Sequence, residues 1–380
     1  METKTLARGG PHGTKPSLSI CIPTYQRKKI LSETLDSLIE VAKKCPGDIE
    51  ICVSDNASTD GTFARLKKYS AKYPFIRAQQ NKENIGFDRN LRAAVEMARS
   101  EYCWAIGDDD TVVPKGVISL VRALKKGGNY AAGFMAAGRP EQISDVHRLL
   151  PKSEYSVDEF IEANIRAETQ KTREGLLVYG FLPCYLYGRK ALEGNFPPFN
   201  GVYTGWYHLS LFYHIIATHP KGNILVHHDP PIIYGSEGDE FASVTLPDRD
   251  IRLYTADRLA AITFSPVRTR LEEPAKHWLK QHSGYWYMVN ILRLMFMRPM
   301  LKPGYYSELK KRVYSFGDGM EMPLRYQFVT RALKIVEHIP LLRDYLAGAY
   351  ARRSRYAGRF IKYTIPSLRE KGLLAETSVK

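Results

Sequence analysis

From Leu18 onward the chain alternates short apolar runs with stretches of helical periodicity, at intervals of about 20–30 residues. Leu18–Pro23 (LSICIP), Ile49–Val53 (IEICV), Ile76–Gln79 and Tyr102–Ile106 (YCWAI) read as strands. Between them, Ile30–Lys43, Phe63–Tyr73 and Phe87–Arg99 place apolar residues at helical spacing, for example Leu31, Leu35, Leu38, Ile39 and Ala42. A further helix opens at Pro114, where proline suits the first turn. This order predicts a parallel α/β sheet with right-handed crossovers. Leu182–Tyr187 and Ile224–His227 read as further strands, and residues 140–180, with Val157–Arg173 helix-prone, as an excursion from the sheet.

Ligands of such sheets bind beyond the C-terminal strand ends. Three polar clusters fall there: Thr24 and Tyr25 after the first strand, Asp55 after the second, and Asp108, Asp109 and Asp110 after the fourth. Three adjacent acids repel one another unless a cation or water relieves them. Hard oxygen ligands suit Mg2+ or Mn2+, ions that keep waters and bind phosphates. The alternative is a solvated acidic turn.

The stretch Leu18–Pro114 resembles the nucleotide-sugar-binding half of family 2 inverting glycosyltransferases, whose fold is called GT-A. The pieces that carry the resemblance are Ile22-Pro23-Thr24-Tyr25-Gln26-Arg27, Val53–Thr62 with Asp55, Asn84-Ile85-Gly86 leading to Arg89-Asn90, and Gly107-Asp108-Asp109-Asp110 with Pro114. Within the family the pattern is most similar to abequosyltransferase-like members that build bacterial surface polysaccharides. The resemblance implies that Pro23, Thr24 and Tyr25 line the base and ribose pocket, with Arg27, Asn84 and Arg89 also on the donor side. It further implies that Asp55 accepts a hydrogen bond from the base, that Asp108 meets the ribose, and that Asp109, with Asp110 as neighbour or second ligand, holds Mn2+ or Mg2+. For Asp55 a turn or helix-cap role is the alternative, and for Arg89 a solvated helix charge. Gly107 stands where many relatives carry the first acid of the DXD motif.

The general base is less defined. Relatives usually carry an acidic pair before a helix about 90 residues after the metal motif, whereas here the region reads Gly201–Leu209 without an acid. His208 is a candidate because histidine titrates near neutrality, and packing beside Leu209 and Phe212 is its alternative. Glu237 and Asp239, in Gly235–Glu240, are further candidates; that run reads as a loop closing over donor or as an ordinary acidic surface loop. Asp229 and Glu240 complete the set. The missing pair keeps a second function open, a catalytically idle GT-A module that binds nucleotide-sugar or glycan as a partner subunit.

Charge divides the chain. The formal net charge is +15, yet residues 251–380 hold 24 Lys and Arg against 10 Asp and Glu, and the remainder is nearly neutral. The expected organisation is a flexible tail over 1–16, a GT-A nucleotide-sugar-binding catalytic domain over 17–248, and a basic, mostly helical region over 249–380. The basic region implies a polyanionic partner. Tyr285–Met297, with Arg293 and Arg298, and the later Arg352–Tyr363 mix aromatic and basic residues as a membrane-interface helix does. A domain core with solvated arginines is the alternative. The longest apolar stretch, Gly284–Met297, is too short to span a bilayer. No recognition motif for nucleic acid is present. Five cysteines in odd number, without a C-x-x-C pair, point to reduced and mostly buried thiols. The expected location is cytoplasmic, peripheral at the inner face of the cell membrane, with a nucleoside-diphosphate sugar as donor and a glycan or lipid-linked acceptor.

Overall fold

The structure is a computed structural model. It describes residues 4–6, 15–169, 181–194, 196–197, 207–233, 273–318, 322–353, 365–370 and 372–375. These residues belong to two compact units, one before and one after residues 234–272.

The first unit runs β1 (Lys4–Leu6), β2 (Leu18–Thr24), α1 (Lys28–Lys44), β3 (Ile49–Asp55), α2 (Thr62–Lys72), β4 (Ile76–Gln80), α3 (Phe87–Glu96), β5 (Tyr102–Ala105), β6 (Thr111–Val112) and α4 (Pro114–Lys125). It continues through β7 (Tyr130–Met135), α5 (Pro140–Leu149), β8 (Glu154–Ser156), α6 (Val157–Thr169), β9 (Tyr185–Gly188), α7 (Arg189–Leu192), α8 (Tyr207–Thr218), β10 (Asn223–His227) and β11 (Ile232–Ile233). The main sheet has the order β1-β4-β3-β2-β5-β9-β7-β10-β8, and β6 pairs with β11 separately.

The four strands read from apolar runs, β2 to β5, are parallel neighbours. Every residue of β2 and β3 is buried. A strand covered on both faces loses the polar alternation of a half-exposed one, so it reads as a continuous apolar run. The helices follow the expected stripes: Leu31, Leu35, Leu38, Ile39 and Ala42 of α1 are all buried.

The sheet is less uniformly parallel than the α/β alternation alone suggests. β9 is antiparallel to both β5 and β7, and β8 is antiparallel to β10. Strand β9 starts at Tyr185, because Leu182–Cys184 form a 3-10 turn containing Pro183. The region 140–169 is not wholly an excursion, since β8 returns to the sheet edge between α5 and α6. Lys4–Leu6, expected in a flexible tail, pairs antiparallel with β4 and occupies its free edge. All five cysteines are free and buried, as the odd count implies.

The second unit is helical: α9 (Glu273–Met297), α10 (Pro303–Asp318), α11 (Leu324–Val336), α12 (Pro340–Arg353) and α13 (Ile365–Glu370). Its core corrects the expectation that Tyr285–Met297 lies in a membrane interface. Tyr287, Ile291, Leu294, Met295 and Met297 are buried with Leu301, Val313, Leu333 and Leu368. Arg293 is buried as well, donating from Nη1 to Asn290 Oδ1 at 3.1 Å and from Nε to the Tyr350 hydroxyl at 3.1 Å. These residues form the core of the helical unit, which was the alternative reading. Arg355, Tyr356, Arg359, Phe360, Lys362 and Tyr363 lie outside the described residues. Among the described residues no helix is long and apolar enough to cross a membrane.

Candidate functional site

The parallel order β4-β3-β2-β5 brings the C-terminal ends of β2, β3 and β5 side by side. Thr24 pairs with Asp55 in register, and Ile106 N–H donates to Cys21 O. The three polar clusters therefore meet at one edge. Thr24 Oγ1 donates to Asp108 Oδ2 at 2.7 Å across 84 positions of sequence. Thr34, on α1, donates to the main-chain oxygen of Asp108 at 2.9 Å. Arg27, at the start of α1, reaches Asp108 Oδ1 at 3.2 Å and Asp109 Oδ2 at 2.6 Å with a nearly buried guanidinium. The first motif thus grips the Asp108 side chain and the Asp109 carboxylate, and helix α1 grips the Asp108 backbone.

Asp110 differs from its neighbours. Its Oδ2 accepts the Gly107 N–H at 2.6 Å, and the residue is buried. Burial, reinforced by the charges of Asp109 and Asp108 and opposed by the Gly107 hydrogen bond, pushes its carboxyl up to about 8. Glycine at 107 makes this arrangement possible. A Cβ there would stand 2.8 Å from Asp109 Oδ1 and 3.1 Å from Asp110 Oδ2. A side chain at 107 would require the Asp109 and Asp110 carboxylates to shift.

Asp55 is fully buried and serves its own loop. Ser58 donates to it from both its hydroxyl and its N–H, the latter at 3.3 Å, and Gln80 Nε2 donates to Oδ2 at 2.8 Å. Burial raises its carboxyl above the ordinary range, and these donors offset part of that rise. Asp60, just before the Gly61 N-cap of α2, accepts from Thr62 N–H at 2.9 Å and from Lys28 N–H at 3.1 Å, the first residues of α2 and α1. Gln26 and Ala57 hold positive φ angles of 54° and 63°, and the Gln26 side chain bonds the N–H groups of Thr59 and Asp60.

A buried asparagine network also fixes the site, and the sequence reading did not single it out. Asn90 Nδ2 donates to Ser54 O at 3.0 Å and to Thr24 O at 3.4 Å, joining the ends of β3 and β2. Asn81 Nδ2 donates to both Asn90 Oδ1 and Asn56 Oδ1, at 2.9 and 3.1 Å. Asn56 in turn donates to Asn84 Oδ1 at 2.7 Å and accepts from Ile85 N–H at 3.0 Å. A cluster of four asparagines near strand ends was the available signal, because short amides bond loop backbone.

The remaining candidates separate. Pro23 is buried, Tyr25 half-buried, and Asn84 and Arg89 are exposed in the turn before α3 and on that helix. A cavity of about 750 Å³ beside the start of α1 is lined by Gln26, Arg27, Lys28, Lys29, Asp60 and Arg65 among others. His208, on α8, is 2% exposed, with its ring 5.8 Å from that of Tyr185 and its carbonyl accepting from Tyr187. That is a core environment, beside Leu209 and Phe212 as the packing alternative has it. Asp229 accepts from Ser119 Oγ at 2.5 Å. Glu237, Asp239 and Glu240 lie outside the described residues.

Among the described residues no three His, Cys, Asp or Glu side chains form a ready metal cage. The donor set at the strand ends nevertheless fits a hard divalent ion. Asp109 and Asp110 offer oxygen ligands, and Mg2+ and Mn2+ commonly take one or two carboxylates and complete their shell with water and substrate phosphates.

Residues 19–196 match the family model described as glycosyl transferase family 2. The chain is 48% identical over 104 residues, 27% of its length, to abequosyltransferase RfbV of Salmonella typhimurium, covering 31% of that protein. It is 33% identical over 102 residues, again 27% of its length, to chondroitin synthase of Escherichia coli, covering 14% of that protein. The matched region thus spans a third or less of these relatives. In structure the chain is similar to residues 1–349 of S. aureus TarS in complex with UDP-GlcNAc, with a TM-score of 0.53 at 18% identity, over 94% of this chain and 92% of the other. That likeness speaks to the fold alone. The strand-end site lies within the segment that matches glycosyl transferase family 2, and the GT-A fold agrees with that match over residues 19–196.

Proposed function

We propose that this chain is a metal-dependent inverting glycosyltransferase, moving a hexosyl or deoxyhexosyl group from a nucleoside-diphosphate sugar to a hydroxyl of a lipid-linked or polysaccharide acceptor. The observation that carries the reading is the tie of Thr24 and Arg27 to Asp108 and Asp109, inside the segment matched by the family. Cell-surface glycan synthesis is the proposed setting, by similarity to the abequosyltransferase relative.

In this reading Pro23, Thr24 and Tyr25 border the nucleoside, Asp108 accepts from the ribose, and Arg27, Asn84 and Arg89 stand on the donor side. Asp55 sets the loop that frames the base and offers it a carboxylate edge. Asp109 and Asp110 would hold Mn2+ or Mg2+, which supplies Lewis acidity to the departing diphosphate. The chain's own part is positioning: Arg27 and Thr24 fix the two neighbouring carboxylates, so little reorganisation is required when negative charge develops on the leaving group. A side-chain base takes the acceptor proton as the hydroxyl attacks and the anomeric carbon inverts. Glu237 and Asp239 are the preferred candidates for it, and His208, being in the α8 core, would need a rearrangement to reach an acceptor.

The absence of an acid in Gly201–Leu209 keeps the idle-module reading as the second one. A thermal-shift screen of UDP, GDP, CDP and TDP with and without Mn2+ tests donor binding, since a ligand that binds only the native state raises Tm. A rise for one nucleotide, dependent on Mn2+, is expected. No shift with any nucleotide would sink the transferase reading and leave the idle module only as a glycan binder, and a shift without turnover of any nucleotide-sugar would favour the idle module.

A further inference from the structure

The helical unit buries Tyr287, Ile291, Leu294, Met295 and Met297, yet it leaves a different apolar surface uncovered. On α11 the inward face is buried through Thr330 and Leu333. The opposite face carries Leu324, Phe328 and Ile335, and Ile339 follows one turn after Ile335. Leu324, Phe328 and Ile335 recur at helical spacing with Ala332 between them, so they form one stripe on α11, and Ile339 lies in the turn that follows the helix. Helix α12 opens with Leu341 and Tyr345 uncovered too. The six side chains are between 46% and 88% exposed. Scattered apolar residues on a surface are ordinary, but a continuous stripe on one helix is a docking surface.

Charge selects the occupant. Helix α11 contains Arg325, Arg331 and Lys334 and no acid. Arg325 and Arg331 are exposed beside the stripe, and Arg352 and Arg353 are exposed at the end of α12. The one acid of α12, Asp344, is held by Arg343 at 2.7 Å, and Glu337, between the helices, is buried against Lys310 at 2.9 Å. A second copy would set one arginine rim against another. An apolar stripe bordered by arginine is the pattern of a helix lying in the headgroup region of an anionic bilayer. We propose that the outward face of α11 and the start of α12 dock this chain on an anionic membrane surface, with Phe328 and Ile335 entering the acyl boundary. This deepens the proposal of a membrane-borne acceptor and rests on it only for its purpose, since vesicle binding is measured without turnover.

The test is co-sedimentation of the full chain with phosphatidylcholine vesicles, and with vesicles containing a quarter phosphatidylglycerol, across a salt series. Binding to the anionic vesicles is expected to exceed binding to neutral ones by about tenfold at 0.1 M salt. It should weaken as salt shortens the screening length, with a residue surviving at 1 M through the apolar contact. The double substitution Phe328→Ser and Ile335→Ser should reduce anionic-vesicle binding about tenfold and remove the salt-resistant part. Both positions are exposed, so Tm should be unchanged. Tyr285→Ser, on the exposed edge of α9, should leave binding intact. Equal binding to the two vesicle types, or no loss in the double variant, would overturn the proposal. So would a dimer in sedimentation that the double variant dissolves while vesicle binding persists. Nucleotide-induced Tm shifts should be the same in the parent and the double variant, so loss of docking and loss of the donor site are read separately.

Discussion

Arg27 and Asp109 are joined at 2.6 Å, the guanidinium Nη1 against the carboxylate Oδ2, and the same nitrogen reaches Asp108 at 3.2 Å. The chain supplies its own cation to an acidic cluster that would otherwise repel itself. Because the Arg27 side chain is only 8% exposed, water contributes little to that neutralisation.

Arg27→Ala should therefore destabilise the metal-free protein by about 1–3 kcal/mol, the scale for leaving partly buried charges unpaired. Added Mn2+ should restore part of the loss by neutralising the same carboxylates. Thermal melts with chelator and with Mn2+ measure both effects. An unchanged melt in chelator would mean that Arg27 contributes nothing to holding the cluster.

Asp110 gives a pH dependence whose sign follows from its environment. An unfolded aspartate loses its proton near pH 4, whereas the folded one keeps it until about 8. Between these values the folded state binds more protons, so this group lowers stability as pH rises from 4 to 8. Asp110→Asn removes the effect and retains an oxygen for the Gly107 N–H. In chelator, the variant should match the parent near pH 4 and exceed it at pH 8, by on the order of a few kcal/mol. A stability difference that does not grow with pH would contradict the buried, protonated carboxyl.

Asp55→Ala separates two roles. Its carboxylate is occupied by Ser58 and Gln80, so removal should lower Tm as well as weaken nucleotide binding, each by about 1–3 kcal/mol. Melts and calorimetry report the two separately. Lower nucleotide affinity with an unchanged melt would assign Asp55 to the base pocket alone.

Asn90→Ala should act through the strand ends it joins. It removes the side-chain donor to Ser54 O and one of the two acceptors of Asn81 Nδ2, at a cost of about 1–3 kcal/mol. An unaffected melt would mean that the asparagine network is incidental.

Much of this site could be read from the sequence, for identifiable reasons. Strands β2, β3 and β5 are buried on both faces and appear as unbroken apolar runs, so their ends and the polar residues after them could be placed. Strand β7, Tyr130–Met135, was not recognised: its Ala131, Ala132 and Gly133 pack closely but carry little apolar weight. A β-carbon on Gly133 would lie 3.1 Å from Leu186 of β9. The antiparallel direction of β9 was also hidden, because side chains in a short apolar run do not encode direction. The asparagine network escaped because each amide alone is an ordinary turn residue, and only the sheet brings Asn56, Asn81 and Asn90 together. Tyr285–Met297 looked like a membrane face because the residues that cover it, Leu333 and Leu368 among them, come much later in the chain. Apolar periodicity establishes that a face is covered and leaves the cover unnamed.

The most direct measurement is turnover of nucleotide-sugars by the full chain and by Asp109→Asn, read as release of nucleoside diphosphate with Mn2+, Mg2+ or chelator, with and without glycan acceptors. Asp109 is more exposed than Asp108, and Arg27 keeps its Asp108 partner when Asp109 is neutralised, so the loss should spare the fold. The expected result is metal-dependent release by the parent, stimulated by an acceptor hydroxyl. Asp109→Asn should melt at or above the parent temperature in chelator and lose at least about 99% of turnover, the scale of removing an electrostatic contact to a developing charge. Equal turnover by parent and variant, or release indifferent to chelator, would contradict a metal-assisted transfer at Asp108–Asp110.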